Sequence, residues 1–420
     1  MLIKTLLFVT ASATAALAQT DPFYLHAGDR VVFYGDSITD QRLYTTFAET
    51  FVVTRFPKMP VTFVHSGWGG DRVSGGGGGP VDTRLDRDVI PYRPTVVTVM
   101  LGMNDAGYKA FDQKLFDTFT AGYQHITDKL KKDIPGVRIT VIEPSPFDDV
   151  TRAPRFEGGY NITLQRYSQY IRELAAKEGF LDADLNAPVV QSLSQANKAD
   201  TELAQKLIPD RVHPGPAGHM MMAEALLTAW HAPALVSSVE LDGATGKLIQ
   251  AKNTAVHNLA KGATITWEQM DQCLPFPIDW NDKDKLVPLA AKAANVLAVL
   301  NSEPLTVSGL TAPKYALRID GLEAGQFSAA ELSAGINLAS LATTPMMKQA
   351  MDVHALTLKR TGIHQIRWRT IQVPMAAEEL AHKAEAMAAL DRLDDDLMKE
   401  QRALAQPKPH RYELAPVAER

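Results

Sequence analysis

The run Val31-Val32-Phe33-Tyr34-Gly35-Asp36-Ser37-Ile38-Thr39-Asp40 decides the fold. Four β-branched and aromatic residues stop at a glycine, and an acidic residue and a serine follow before an amphipathic stretch begins. A strand apolar on both faces belongs in a parallel sheet covered by helices. The loop after such a strand opens into the crevice where α/β sheets hold ligands. The same alternation continues outward from this run. Strands are expected at 31–34, 61–65, 96–101 and 139–142, with a weaker one at 180–182, and helices at 41–56, 113–132, 162–178 and 217–230. Pro216 suits the first turn of the last helix. An α/β domain with a parallel sheet is therefore expected over 24–233.

The chain has 420 residues, room for that domain and a substantial elaboration. Hydrophobic residues at 45% and charged residues at 22% allow a sizeable core and exclude wholesale disorder. Lys and Arg number 43 against 48 Asp and Glu, with no long basic run, which argues against a nucleic-acid partner. The single cysteine, Cys273, excludes an internal disulfide and a cysteine-based zinc site, and reads as a small buried apolar residue. Residues 1–18 join Lys4 to a short apolar centre and the small-x-small end Ala16-Leu17-Ala18, the pattern of a secretory signal peptide. Ser12 and Thr14 interrupt this stretch, which is too short for a membrane span. An exported protein, periplasmic or extracellular and without stable membrane insertion, is expected.

After His231 the character changes. Short strands around 238–241, 305–307 and 315–319, with turns at Asp242-Gly243 and Asp320-Gly321, indicate a β-rich module over 234–340. Helical patterning over 344–369 and 375–405, broken near Pro374, indicates a helical hairpin over 341–406, and 407–420 reads as a loose tail. Leu380, Met387, Leu390, Leu393, Leu397 and Leu404 form one stripe that is expected to be buried against the module and the α/β domain.

Four short blocks carry candidate chemistry. Gly35-Asp36-Ser37-Ile38-Thr39-Asp40 displays Ser37 after a strand, where it can act as a nucleophile or merely cap the next helix. His65-Ser66-Gly67-Trp68-Gly69-Gly70-Asp71 brings glycine amides to a second strand end, either as donors to a developing alkoxide or as a plain turn. Gly102-Met103-Asn104-Asp105 adds a side-chain amide donor, or an ordinary Asn-Asp turn. In Asp210-Arg211-Val212-His213 a carboxylate three residues before an imidazole can orient it as the base that a hydroxyl nucleophile requires.

In that order and at those strand ends, the four blocks resemble the SGNH subgroup of the GDSL-type esterases and lipases over about 27–230. The resemblance implies a flavodoxin-like three-layer α/β/α fold and a serine hydrolase acting on ester bonds through an acyl-enzyme, without metal or other cofactor. It implies Ser37 as nucleophile, His213 as base and Asp210 as its orienter. The Ser37 amide, the Gly70 amide and the Asn104 side chain are the implied oxyanion donors. His65 stands where the family usually has Asn, which leaves the local hydrogen bonding open. Asp36 and Trp68 are candidates for substrate binding. Exported family members with an added module often deacetylate polysaccharides or oligosaccharides, so the implied activity is on O-acetyl esters of carbohydrates, and the implied partner is a small-molecule or polysaccharide ester. Short-chain arylesterase, thioesterase or lipase activity is the alternative within the class, and a non-catalytic carbohydrate-binding protein on a hydrolase fold is the alternative outside it.

Other features carry less. The glycines 75–79 lack the Gly-Lys-Ser/Thr of a phosphate loop and suggest a flexible rim. His219, His354 and His364 have no partners at metal-ligand spacing, Asn161-Ile162-Thr163 is a sequon, and Asp394-Asp395-Asp396 reads as a solvated helix face.

Overall fold

A computed structural model describes residues 22–418; the expected signal peptide lies outside the described residues. The α/β part contains β1 (Arg30–Gly35), α1 (Ser37–Asp40), α2 (Leu43–Arg55), β2 (Thr62–Gly67), α3 (Val81–Asp88), β3 (Val96–Met100), α4 (Gln113–Asp133), β4 (Arg138–Ile142), α5 (Gly159–Glu178), β5 (Leu181–Ala183), α6 (Ala187–Ala199), α7 (Thr201–Leu207) and α8 (Pro216–Ala229). Its five strands are parallel in the order β2-β1-β3-β4-β5. Every residue of β3 and all but the first of β1 are buried, as strands covered on both faces must be. Helix α2 packs on α8, and α4 on α5.

The C-terminal half contains β6 (Ser238–Asp242), β7 (Lys247–Lys252), β8 (Thr254–Lys261), β9 (Ile265–Asp271), α9 (Leu286–Ala293), α10 (Val296–Val299), β10 (Pro304–Ser308), β11 (Lys314–Ile319), β12 (Leu322–Ser328), α11 (Ala329–Ala334), β13 (Ile336–Asn337), α12 (Pro345–Gln365), a π-helical segment Ile366–Gln372, α13 (Lys383–Leu404) and β14 (His410–Pro416). One sheet runs β8-β9-β14-β11-β12 and is antiparallel; the other runs β13-β10-β6-β7. The expected loose tail is thus corrected. Residues 410–416 form the central strand of the five-stranded sheet, with Tyr412 and Leu414 fully buried.

A hairpin of α12 and α13 forms over the expected region. Its apolar stripe is not buried along its length, because Leu380 and Leu393 are exposed and the buried residue of α13 is Gln401. Helix α12 buries Met346, Ala350 and Val353 in the core of the C-terminal sheets, whereas α13 is seated mainly by polar contacts. Arg402 Nη2 donates to the Val61 carbonyl (2.6 Å), and Gln401 Nε2 donates to Glu49 Oε1 (3.0 Å).

The two halves share their cores. Phe276, Ile278, Ala290, Val296 and Met347 join the apolar cluster of the parallel sheet, and Val53 of α2 joins the cluster of the C-terminal sheets. Buried Arg55 fastens the connection, donating to the carbonyls of Pro233 (2.6 Å) and Leu300 (2.7 Å). Cys273 is buried, and burial pushes its thiol up to about 11. Among the described residues no helix is long and apolar enough to cross a membrane.

Candidate active site

Three of the four blocks leave the sheet level with one another. Gly35 pairs with Gly67 on one side and with Met100 on the other, so the loops after β1, β2 and β3 begin side by side. Gly35 is required by closeness: a Cβ there would lie 2.3 Å from Thr39 Oγ1 and 2.7 Å from the Met100 carbonyl oxygen. The chain therefore turns straight into α1. Asp36 caps that helix, accepting from the Ile38 amide (3.0 Å), and Ser37 occupies its first position.

The fourth block reaches Ser37 from before α8. His213 Nε2 lies 2.8 Å from Ser37 Oγ, and His213 Nδ1 lies 2.7 Å from Asp210 Oδ2. The other carboxylate oxygen, Asp210 Oδ1, accepts from the amides of Val212 (2.9 Å) and His213 (2.7 Å). Partial burial opposes ionisation of Asp210, but these hydrogen bonds outweigh it and hold the carboxyl below its ordinary range. An ionised Asp210 fixes the proton on Nδ1, which leaves Nε2 free to accept from the serine hydroxyl.

Two candidate donors lie in the loops that begin beside the one holding Ser37. Gly70 has φ +78, a left-handed conformation that favours glycine, and its amide has no acceptor among the described residues. Asn104 is held by both ends of its amide: Nδ2 donates to the Asp71 carbonyl (3.0 Å), and Oδ1 accepts from Tyr108 Oη (2.9 Å). An Asn amide has two N–H bonds, so this leaves one for a ligand. Asn104→Ala is expected to lower kcat by about 10²–10³ with little change in KM. Steady-state kinetics on a chromogenic ester check this, and a pure KM effect would place Asn104 in substrate binding instead.

Tyr108, absent from the sequence expectations, sits at the rim. It is 40% exposed, adopts φ 57 and packs on Tyr160 with ring centroids 5.1 Å apart. A left-handed backbone under a bulky side chain is uncommon and clusters at functional sites. Sequence gives no signal for it. Gln41 likewise has no sequence signal, while His219, expected not to be a metal ligand, is a buried histidine with both ring nitrogens bonded. His219 Nδ1 accepts from the Tyr44 amide (3.3 Å), so Nε2–H donates to Gln41 Oε1 (3.1 Å), and Gln41 Nε2 donates to the Pro214 carbonyl (3.2 Å). Gln41 thereby ties the end of α1 to the residue after His213. Burial, with His213 nearby, pushes His219 down to about 3, so it stays neutral.

The remaining expected residues fall as follows. Trp68 is half-buried, with the Arg369 guanidinium 3.5 Å from its ring centroid. His65 is buried in a polar chain, Nδ1 at 2.7 Å from Thr45 Oγ1 and Nε2 at 3.1 Å from Glu49 Oε2. Glu49 is also bound by Arg360 of α12. The substitution at position 65 thus turns the start of the second block toward the C-terminal hairpin. The glycine loop is ordered, since Gly75–Gly76 and Gly79–Pro80 pair as a small antiparallel ladder. Asp394 pairs with buried Arg360 through two 3.0 Å bonds rather than lying on a solvated face. Asn161 is buried and its Nδ2 donates to Asn186 Oδ1 (3.1 Å), so the sequon is not presented to solvent. His354 lies 3.0 Å from Thr50 Oγ1 and His364 stacks on Trp368.

Asp36 itself is fully buried, and burial, with the carboxylates of Asp105 and Asp71 nearby, pushes it from 3.8 up to about 7. Its folded pKa lies above the unfolded one, so this residue's contribution to stability falls as pH rises from about 4 to 7. Asp36→Asn keeps a capping oxygen without the ionisation. Its melting temperature relative to the parent is expected to climb between pH 5 and 8. An equal difference at both pH values would show that Asp36 ionises normally.

The GDSL-like Lipase/Acylhydrolase family matches residues 33–221. An acetylxylan esterase of Geobacillus stearothermophilus is 24% identical over 226 residues, covering 48% of this chain and 93% of that protein. A crystal structure of an acetylxylan esterase from the same organism has a TM-score of 0.41 at 22% identity, covering 49% of this chain and 96% of its own. The structure of a gut microbial diltiazem-metabolizing enzyme aligns over 94% of this chain and 98% of its own, with a TM-score of 0.81 and 27% identity. That alignment spans the C-terminal sheets and hairpin as well as the parallel sheet. The stretch that matches the GDSL-like lipase/acylhydrolase family, residues 33–221, holds Ser37, Gly70, Asn104, Asp210 and His213.

Proposed function

We propose that the protein is an exported serine esterase that removes acetyl groups from carbohydrates. The observation that carries the reading is the unbroken hydrogen-bond chain Ser37 Oγ, His213 Nε2, His213 Nδ1, Asp210 Oδ2, with links of 2.8 and 2.7 Å, at the mouth of three level strand ends. His213 takes the Ser37 proton as the oxygen attacks the ester carbonyl. The negative oxygen that forms is met by the amides of Ser37 and Gly70 and the free N–H of Asn104. His213 then protonates the leaving alcohol, and water repeats the sequence on the acyl-enzyme to release the acid. No other group is needed for the proton accounting. Export rests on the pattern of residues 1–18.

The acetyl and carbohydrate preference is supported by the acetylxylan esterase relative. The whole-chain neighbour, described as metabolizing diltiazem, favours a second reading in which the substrate is a small aryl-bearing ester. Acetate release from acetylated xylooligosaccharides, set beside p-nitrophenyl acetate, butyrate and octanoate and an acetyl thioester, separates these. The proposal expects the highest kcat/KM on the acetylated sugar. A preference for aryl acetates supports the second reading, rising activity with chain length indicates a lipase, and sugar binding without turnover indicates a non-catalytic protein.

A further inference from the structure

The C-terminal hairpin meets the catalytic loops through its π-helical segment, Ile366–Gln372, and two adjacent residues make the contacts. Helical segments of this kind occur often at functional sites. Trp368 is buried, and its indole N–H donates to Asp88 Oδ1 (2.6 Å). Asp88 pairs with Arg84, whose Nε donates to Asp71 Oδ2 (2.7 Å) and whose Nη2 donates to the Ser66 carbonyl (2.7 Å). Asp71 in turn supplies the carbonyl that holds Asn104. Trp368 is thus linked to the second block through Asp88 and Arg84.

Arg369 makes a second set of contacts. Its guanidinium lies over Trp68, and Nη1 reaches both oxygens of Asp40 at 3.3 Å. Asp40 ends the helix that begins at Ser37, and its Oδ2 also accepts from the Gly69 amide (3.2 Å). A Cβ on Gly70 would meet open space, so no side-chain contact at that position holds the loop. The loop is held at the neighbouring residues, with Gly69 tied to Asp40 and the Asp71 amide bonded to the Trp68 carbonyl (3.1 Å). Both anchors touch Arg369. Without it, Trp68 loses one of its cation–π partners, Arg84 and Arg87 remaining, and Asp40, beside the Gly69 amide, keeps its negative charge with Arg42 as its remaining nearby cation.

We propose that Arg369 is a positioning residue: the C-terminal half of the chain sets the oxyanion loop through Arg369, which aligns Trp68-Gly69-Gly70 on the Ser37 helix and neutralises Asp40. Arg42 adds a second grip on the same helix end, donating to the carbonyls of Asp40 (3.1 Å) and Thr361 of α12 (3.2 Å). The C-terminal half is on this account part of the catalytic machinery, acting through another group's geometry and charge.

The inference rests on the serine-esterase reading, and its test uses the full-length protein with p-nitrophenyl acetate. Arg369→Ala is expected to lower kcat by about 10- to 100-fold with KM changed by less than about threefold and an unchanged melting temperature. Asp40→Asn keeps an acceptor for Gly69 without the charge, so Asp40→Asn with Arg369→Ala is expected to be faster than Arg369→Ala alone. A purely structural Arg369 would give a double variant no better than the single one, and that result overturns the proposal, as does a kcat for Arg369→Ala within about twofold of the parent. Should Arg369→Ala fail to fold, Arg369→Gln, which keeps the stem over Trp68 and loses the charge, carries the same expectation. A parent protein that hydrolyses no ester would sink the esterase reading itself, whereas an active parent with an equally active Arg369→Ala sinks the inference alone.

Discussion

Ser37→Ala is expected to lower kcat on an ester substrate by about 10⁴–10⁶, with the far- and near-ultraviolet circular dichroism unchanged. The side chain sits at the first position of a four-residue helix capped by Asp36, and the cap uses the Asp36 carboxylate rather than the serine hydroxyl. Loss of Oγ therefore removes chemistry and little packing. His213→Ala should cost a similar factor, and the double variant should be no slower than either single one, because a hydroxyl without its base and a base without its hydroxyl fail at the same step. Additive losses would mean that the two residues work independently, despite the 2.8 Å between them.

Removal of residues 407–420 is expected to give protein that is insoluble or melts without a cooperative transition. The deletion takes β14 from between β9 and β11, so both neighbours lose their ladders at once. It also removes Tyr412, which stacks on Trp267 with centroids 4.9 Å apart. A milder probe is Leu414→Ala, at a fully buried site, expected to cost about 2–5 kcal/mol in denaturant unfolding. A soluble truncation product with the parent's melting temperature would show that the sheet closes without its middle strand.

The failure to foresee β14 has a plain physical cause. The alternation in His410-Arg411-Tyr412-Glu413-Leu414 is only five residues long and follows Pro407-Lys408-Pro409, a stretch that reads as irregular. Its pairing partners lie far away in sequence, beside Trp267 and Leu317. The parallel sheet was easier, because each strand is a compact apolar run and neighbours are joined by helices of ordinary length. The four blocks were legible for the same reason, since chemistry at strand ends keeps a fixed relation to local pattern. Arg369 had no such relation: 329 positions separate it from Asp40. Tyr108 and Gln41 act through one and two side-chain hydrogen bonds, which leave no periodicity in the chain. Leu380 and Leu393 mislead in the opposite sense, because helical spacing of apolar residues indicates a stripe without ensuring that anything covers it.

The central claim, that Ser37 is a nucleophile activated by His213, is tested most directly by covalent capture. The full-length protein is incubated with a fluorophosphonate, and the adduct is located by intact-mass measurement and peptide mapping. The account predicts one phosphonyl group per chain, on the peptide containing Ser37, absent in Ser37→Ala and formed far more slowly in His213→Ala. Ester hydrolysis that persists while Ser37 stays unlabelled, or a label that settles on another residue and abolishes activity, would contradict it.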